Sequence, residues 1–249
     1  MHALRTDGLS KHWGAFKAND NIGFSLAPGA RHALIGPNGA GKTTFVNLLT
    51  GALAPTHGRI SLNGVDVTNL PQHRRVKLGM TRTFQINTLF PALTVLESVL
   101  LAICERTGRT RNFWRALAHC TAETSEALAL LERLRLRDDA DTECHSLPYG
   151  KQRLLEIALA LATQPTLLLL DEPAAGVPTA NSREIFAVLS GLPRSVTVLF
   201  IEHDMDLVFR FAERITVLVG GTVLFEGTPE EVSNNKRVQE VYLGESAHD

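Results

Sequence analysis

The sequence is poor in the features that mark secreted, membrane-embedded or nucleic-acid-coating proteins. Its three cysteines, Cys104, Cys120 and Cys144, form neither a CxxC pair nor an even-numbered disulfide set, so they read as thiols of a reducing compartment. No apolar run approaches the roughly eighteen residues of a membrane span. The longest, around Leu167–Leu170, stops at Asp171 and Glu172. The opening residues, MHALRTDGLSKHW, lack the apolar centre of a secretory leader, and any work at a membrane is expected to need a partner. An excess of one charge is missing too, since 25 Lys+Arg against 26 Asp+Glu give a net charge of −1. That balance argues against a generally basic surface, and nucleic acid is not an expected partner. No internal repeat and no low-complexity tract divides the chain. What is present, 44% hydrophobic and 20% charged residues over 249 positions, fits one elaborated domain with a sizeable core.

Patterning within that domain points to α/β organisation. Arg59–Val67 alternates apolar and polar residues around Asn63-Gly64, and Ile215–Phe225 does so around Gly220-Gly221. Both predict hairpins with positive-φ turns. Ala33–Ile35, Thr166–Leu170 and Val196–Ile201 are nearly continuous apolar runs, as expected of parallel strands covered on both faces. Helices are expected after them over Lys42–Thr50, Ser182–Leu192 and Met205–Ala212. Between about residues 91 and 163 strand-like runs vanish and helical spacing takes over, for example at Leu128, Leu131 and Leu134, so that stretch reads as a helical subdomain inserted in the core. Its basic-aromatic cluster, Arg106, Arg109, Arg111, Phe113, Trp114 and Arg115, reads as a solvated helix face with packed aromatics rather than a binding patch. Thr228-Pro229-Glu230-Glu231 has the spacing of a capping box.

The chemistry-bearing segment is Gly36, Pro37, Asn38, Gly39, Ala40, Gly41, Lys42, Thr43 and Thr44, between a strand and a helix. Glycines there let backbone N–H groups turn inward around phosphate oxygens, and the helix start adds partial positive charge. In such a P-loop Lys42 reaches the β- and γ-phosphates and the Thr43 hydroxyl faces Mg²⁺. Farther on, a buried strand delivers Asp171 and Glu172. Asp171 suits a Walker B carboxylate behind Mg²⁺, and Glu172 suits a base that orients or deprotonates water. Together these pieces imply nucleoside triphosphate hydrolysis.

With its other ordered segments, the sequence resembles the ATP-binding cassette (ABC) ATPases over essentially its whole length. Thr83-Phe84-Gln85 resembles the Q-loop, which implies that Gln85 contacts Mg²⁺ and the attacking water. Ser146–Arg153 occupies the signature position, and Ala174-Ala175-Gly176 that of the D-loop. Ile201-Glu202-His203-Asp204 looks like the switch histidine, implying that His203 contacts the γ-phosphate. Lys11-His12-Trp13-Gly14 matches the aromatic position where Trp13 would stack on adenine. The resemblance implies a P-loop NTPase core with a mixed sheet, an antiparallel β edge and the helical insertion. It also implies a head-to-tail pair of cassettes, in which Tyr149 and Gly150 meet the nucleotide of the second copy. Two departures stand out. Pro148 replaces the usual signature serine, and Gly176-Val177-Pro178-Thr179 lacks the usual D-loop aspartate or asparagine.

Within the family, Arg82–Gln85, Leu89-Phe90, Leu93–Ser98, Glu172–Gly176, Glu202–Met205 and Val241–Glu245 are similar to the ATP-binding subunits of bacterial branched-chain amino-acid importers. That similarity implies a peripheral ATPase at the cytoplasmic face of the inner membrane, joined to a second cassette and two integral permeases, and indirectly to a periplasmic substrate-binding protein. Urea or amide uptake, lipopolysaccharide export and a soluble non-transport ATPase are the alternatives. Nothing in the chain itself reads as a pocket for an amino acid.

Overall fold

The computed structural model describes residues 2–83, 89–108 and 121–245. The chain begins with β1 (Leu4–Trp13), β2 (Phe16–Leu26), β3 (Arg31–Ile35), α1 (Lys42–Thr50), β4 (His57–Leu62), β5 (Val65–Asp66), α2 (Gln72–Lys77) and β6 (Met80–Arg82). Helices follow as α3 (Val95–Arg106), α4 (Thr121–Arg133) and α5 (Tyr149–Ala162). Then come β7 (Leu167–Asp171), α6 (Thr179–Ser190), β8 (Thr197–Ile201), α7 (Met205–Phe211), β9 (Arg214–Val219), β10 (Thr222–Gly227), α8 (Pro229–Ser233) and α9 (Lys236–Glu245). The elements fall into two compact units. The first holds Met1–Arg82, Thr166–Glu172 and Pro193–Asp249, the second Thr83–Pro165 and Pro173–Leu192.

The first unit contains two sheets. One has the strand order β10-β9-β3-β8-β7-β6, parallel throughout except where β10 pairs antiparallel with β9 at the edge. Every residue of β3, β7 and β8 is buried, which is why these strands appear in the sequence as unbroken apolar runs. The other sheet, β2-β1-β4-β5, is antiparallel. Both expected hairpins form with left-handed turn residues, at Asn63 and Gly64 (φ 49° and 83°) and at Gly220 and Gly221 (φ 55° and 78°). Leu4, Phe24, Phe45, Leu48, Leu169 and Ile201 belong to one apolar cluster that both sheets and α1 share.

Several elements differ from the sequence expectations. β1 and β2 have no counterpart there, because register shifts between Thr6 and Leu9, Leu9 and Lys11, and Lys11 and His12 interrupt the alternation. α6 starts at Thr179, ahead of Ser182, and α5 at Tyr149, ahead of Lys151, each following a proline at the N-cap. The capping box at Thr228 is present, with the Thr228 hydroxyl accepting from Glu231 N at 3.2 Å and Glu231 Oε2 accepting from Thr228 N at 2.7 Å. A second one, between Thr94 and Glu97, starts α3. In the second unit α3 packs on α4 and α5, and α5 on α6, with Val99, Ile103, Leu131 and Leu155 buried. Arg106 pairs with Glu126 at 2.7 Å. The rest of the basic-aromatic cluster, Arg109, Arg111, Phe113, Trp114 and Arg115, lies outside the described residues, as does Cys120.

Arg75 locks the far end of α1. It is 2% exposed and donates to the carbonyls of Leu48 (2.8 Å), Leu49 (2.6 Å), Leu70 (2.9 Å) and Thr68 (2.9 Å). Two of those acceptors are last-turn carbonyls that no residue within the helix can satisfy. At the start of β3, buried His32 bonds the Thr216 hydroxyl through Nε2 at 2.8 Å and meets the Phe24 ring edge-on.

Burial, reinforced by the Arg214 charge, pulls the His32 pKa from 6.5 down to about 4. Between those values the unfolded chain binds a proton that the folded chain does not. The stabilisation is therefore complete above pH 6.5 and declines as the pH falls towards 4. The loss approaches about 3 kcal/mol. His32→Gln, which keeps a hydrogen-bonding group but cannot titrate, is expected to flatten the dependence of unfolding free energy on pH over that interval, as measured by denaturant titrations at a series of pH values.

Candidate functional site

Loop geometry between β3 and α1 requires glycine at two positions. Gly36 has φ 151° and a Cβ there would sit 2.1 Å from the Leu218 carbonyl oxygen. Gly41 has φ 96° and its Cβ would sit 2.4 Å from that of Ala18. A Cβ on Gly39 would meet nothing within 4 Å, so the loop is open on that side. α1 begins directly at Lys42 without a side-chain cap, leaving its first N–H groups available to an anion. The Lys42 ammonium curls back over the loop and donates to the carbonyls of Gly36 (2.5 Å) and Pro37 (2.9 Å).

The carboxylates reach the same unit from β7. Asp171 pairs in register with Ile201 of β8, which places Glu172 beside the segment that carries His203. Asp171 is 5% exposed and its carboxylate accepts from Arg82 Nη2. The same guanidinium donates through Nη1 to Asn47 Oδ1 on α1 at 2.6 Å. A buried carboxylate is thus paired with a largely buried cation that also touches the P-loop helix. Glu172 takes a left-handed backbone, φ 49°, a conformation that disfavours residues with a Cβ and is concentrated at functional sites. Its N–H donates to the Ile201 carbonyl at 3.0 Å, and its Oε1 lies 2.5 Å from His203 Nε2. With the carboxylate ionised, Nε2 carries the proton of that bond.

These groups converge on a cavity of about 270 Å³ lined by Trp13, Phe16, Ala18, Asn38, Gly39, Ala40, Gly41, Lys42, Thr43, Thr44, Glu172 and His203. Its lining joins loop N–H groups and a lysine to two aromatic rings, a combination that suits a polyanion carrying a flat ring. Gly36 and Pro37 take part through Lys42. Asp171 stands one residue before the lining Glu172. Gln85 lies outside the described residues. Tyr149 and Gly150 belong to the second unit. Phe16 was missed by sequence reasoning. It is the register partner of Trp13 across the β1–β2 turn, with ring centroids 6.4 Å apart and planes 17° from parallel, so an aromatic residue on each side of the Gly14-Ala15 turn was the available signal.

Comparison with known proteins shows the family. The profile described as "ABC transporter" matches residues 19–175. The chain belongs to the ABC transporter family. A second profile, "Branched-chain amino acid ATP-binding cassette transporter", matches residues 222–248 of the cassette. The cassette is 40% identical, over 98% of both chains, to the high-affinity branched-chain amino acid transport ATP-binding protein LivG of Escherichia coli K12. It is 38% identical, again over 98% of both chains, to BraF of Pseudomonas aeruginosa. Among solved structures, the ADP conformation of MJ1267, an ATP-binding cassette of an ABC transporter, superposes with a TM-score of 0.85 at 32% identity, covering 98% of this chain and 99% of that one. The cassette is accordingly an ATP-hydrolysing, nucleotide-binding subunit homologous to branched-chain amino-acid importer ATPases. No helix among its described residues is long and apolar enough to cross a membrane.

Phe16 is 65% exposed and Trp13 48%, so neither ring is needed for the core, and both line the cavity beside the P-loop. Phe16→Ala is expected to weaken ATP binding about two- to tenfold, the worth of one aromatic contact, with an unchanged melting curve. Equilibrium nucleotide binding alongside thermal unfolding checks both halves.

Proposed function

We propose that the cassette is the Mg²⁺-dependent motor of a branched-chain amino-acid importer. In this reading it sits peripherally at the cytoplasmic face of the inner membrane, on two integral permease subunits, beside a second cassette and downstream of a periplasmic substrate-binding protein. The observation that carries the reading is the match of the C-terminal residues 222–248 to the branched-chain profile, set within end-to-end similarity to LivG and BraF. All of 1–249 then works as one cassette, with about 91–163 as its inserted helical part.

Its residues support a division of labour at the ATP. Trp13 offers a π-face to the adenine. Backbone N–H groups of Asn38–Thr44 and the Lys42 ammonium hold the phosphates, with Lys42 exchanging its loop carbonyls for phosphate oxygens. Glu172 accepts the proton of the water that attacks the γ-phosphorus, and the bond to His203 holds its carboxylate in place. Thr43 and Asp171 offer hydroxyl and carboxylate oxygens, the donors a hard cation prefers. Among the described residues no group of three His, Cys, Asp or Glu is placed to hold a metal alone. Such a sparse donor set fits Mg²⁺, which completes its shell with phosphate and water oxygens, and Gln85 is a further ligand by resemblance. When bound, the ion neutralises charge on the β- and γ-phosphates. Tyr149 and Gly150 would complete the site of the second cassette.

Glu172→Gln is expected to keep ATP binding while turnover falls by on the order of 10²-fold or more, and to trap an ATP-bound pair of cassettes. Retained steady-state ATPase activity in that variant removes Glu172 from the role of base. The transport reading is checked by co-purification: two integral permeases and leucine-stimulated hydrolysis in the reconstituted assembly are expected. Stimulation by urea or short amides, capture of a lipopolysaccharide exporter, or retention on DNA or ribosomes each sinks the branched-chain assignment.

A further inference from the structure

Tyr149 combines exposure with full engagement of its hydroxyl. The residue is 41% exposed, and a phenol so placed ordinarily spends its hydroxyl on water. Here the hydroxyl donates to the carbonyl of Ala175 at 3.2 Å and accepts from Arg153 Nη2 at 2.7 Å. Arg153 lies over the ring, 5.1 Å from its centroid, and its other terminal nitrogen donates to Glu156 Oε2 at 2.8 Å. Both partners of that ion pair are under a tenth exposed. The ring also lies against Gly176, where an added Cβ would sit 3.4 Å from it. Gly176 has φ 72°, so the turn favours glycine there.

We propose that Tyr149 is a positioning residue that fastens the start of α5 to the Ala174–Gly176 turn, so that both segments present to a second cassette as one body. The inference rests on reading those segments as the signature and D-loop of a two-cassette assembly. Its physical basis lies within the second unit. Pro148, the N-cap of α5, makes no side-chain cap bond, so side chains must fix the first turn. Lys151 ties it to Asp139 (2.8 and 2.6 Å) and Gln152 ties it to the Leu147 carbonyl (2.9 Å). Tyr149 is the member of this set that reaches the turn. Because Arg153 is held by buried Glu156, the phenol is clamped from the α5 side, and the hydroxyl passes that fixed position on to the Ala175 carbonyl. Two hydrogen bonds, one to a cation, carry the tie.

Tyr149→Phe keeps the ring, its contact with Arg153 and its packing on Gly176, and removes only the hydroxyl. In the otherwise wild-type protein the expected result is a kcat for ATP hydrolysis lowered about five- to tenfold, with KM for ATP within about twofold and an unchanged melting temperature. In the Glu172→Gln background the same change is expected to weaken ATP-driven association about tenfold, read by sedimentation. A purely local packing role would instead shift melting temperature and KM together, and that result overturns the proposal, as does wild-type kcat and association. If the Glu172→Gln chain with Tyr149 intact stays monomeric in saturating ATP, the two-cassette reading itself has failed and this inference falls with it.

Discussion

Parallel pairing of β3, β7 and β8 is the constraint from which the site follows. In a parallel sheet all carboxyl ends lie along one edge, so whatever follows each strand is brought together without any long side chain having to reach. β8 is shared, pairing with β3 through Leu34↔Ile201 and with β7 through Asp171↔Ile201. That single residue sets the level from which the P-loop, Glu172 and His203 all depart. A slip of one residue on β7 would turn Asp171 to the opposite face and carry Glu172 away from His203. Complete burial of all three strands penalises such a slip, so hydrophobic packing fixes the register that brings Glu172 to His203.

At that edge the chain keeps several arrangements that packing alone would not choose. Asp171 and Arg82 are both largely buried, Lys42 spends its charge on backbone carbonyls, and Glu172 holds a left-handed backbone. Each is unfavourable or marginal for a structural role and coherent for a phosphate site. Arg82 pairs with the Asp171 carboxylate, Lys42 rests on carbonyls of its own loop, and the unusual turn at Glu172 aims its carboxylate at His203. Arg75 stabilises this arrangement from the opposite end of α1, because a helix whose last turn is pinned by a buried guanidinium cannot easily shift its first turn.

Legibility in the sequence followed the range of the interaction. The P-loop, both glycine-turned hairpins and the Thr228 capping box were readable because each is complete within about ten neighbouring residues, so residue type and spacing carry the whole geometry. β1 and β2 were not, since their register shifts break the period of two on which strand recognition depends. Arg75 and Arg82 were invisible as structural cations: one answers carbonyls on α1 and the other a carboxylate 89 positions away, and nothing beside them announces either partner. Phe16 stood between these cases. Its role depended on pairing across a tight turn, which is local, but only once both flanking segments are known to be strands.

The proline at position 148 shows how a departure from a family pattern can be absorbed. A serine there would supply a side-chain oxygen, whereas proline supplies a fixed φ, −55° here, and no cap. Loss of the cap leaves the first turn of α5 free to fray unless something else holds it. The segment supplies that hold through Lys151 on Asp139, Gln152 on the Leu147 carbonyl and Tyr149 on Ala175 and Arg153. Rigidity has moved from one local hydrogen bond to a set of ties around the helix start. Proline is tolerated under this arrangement because it contributes pre-set backbone geometry while its neighbours contribute the bonds.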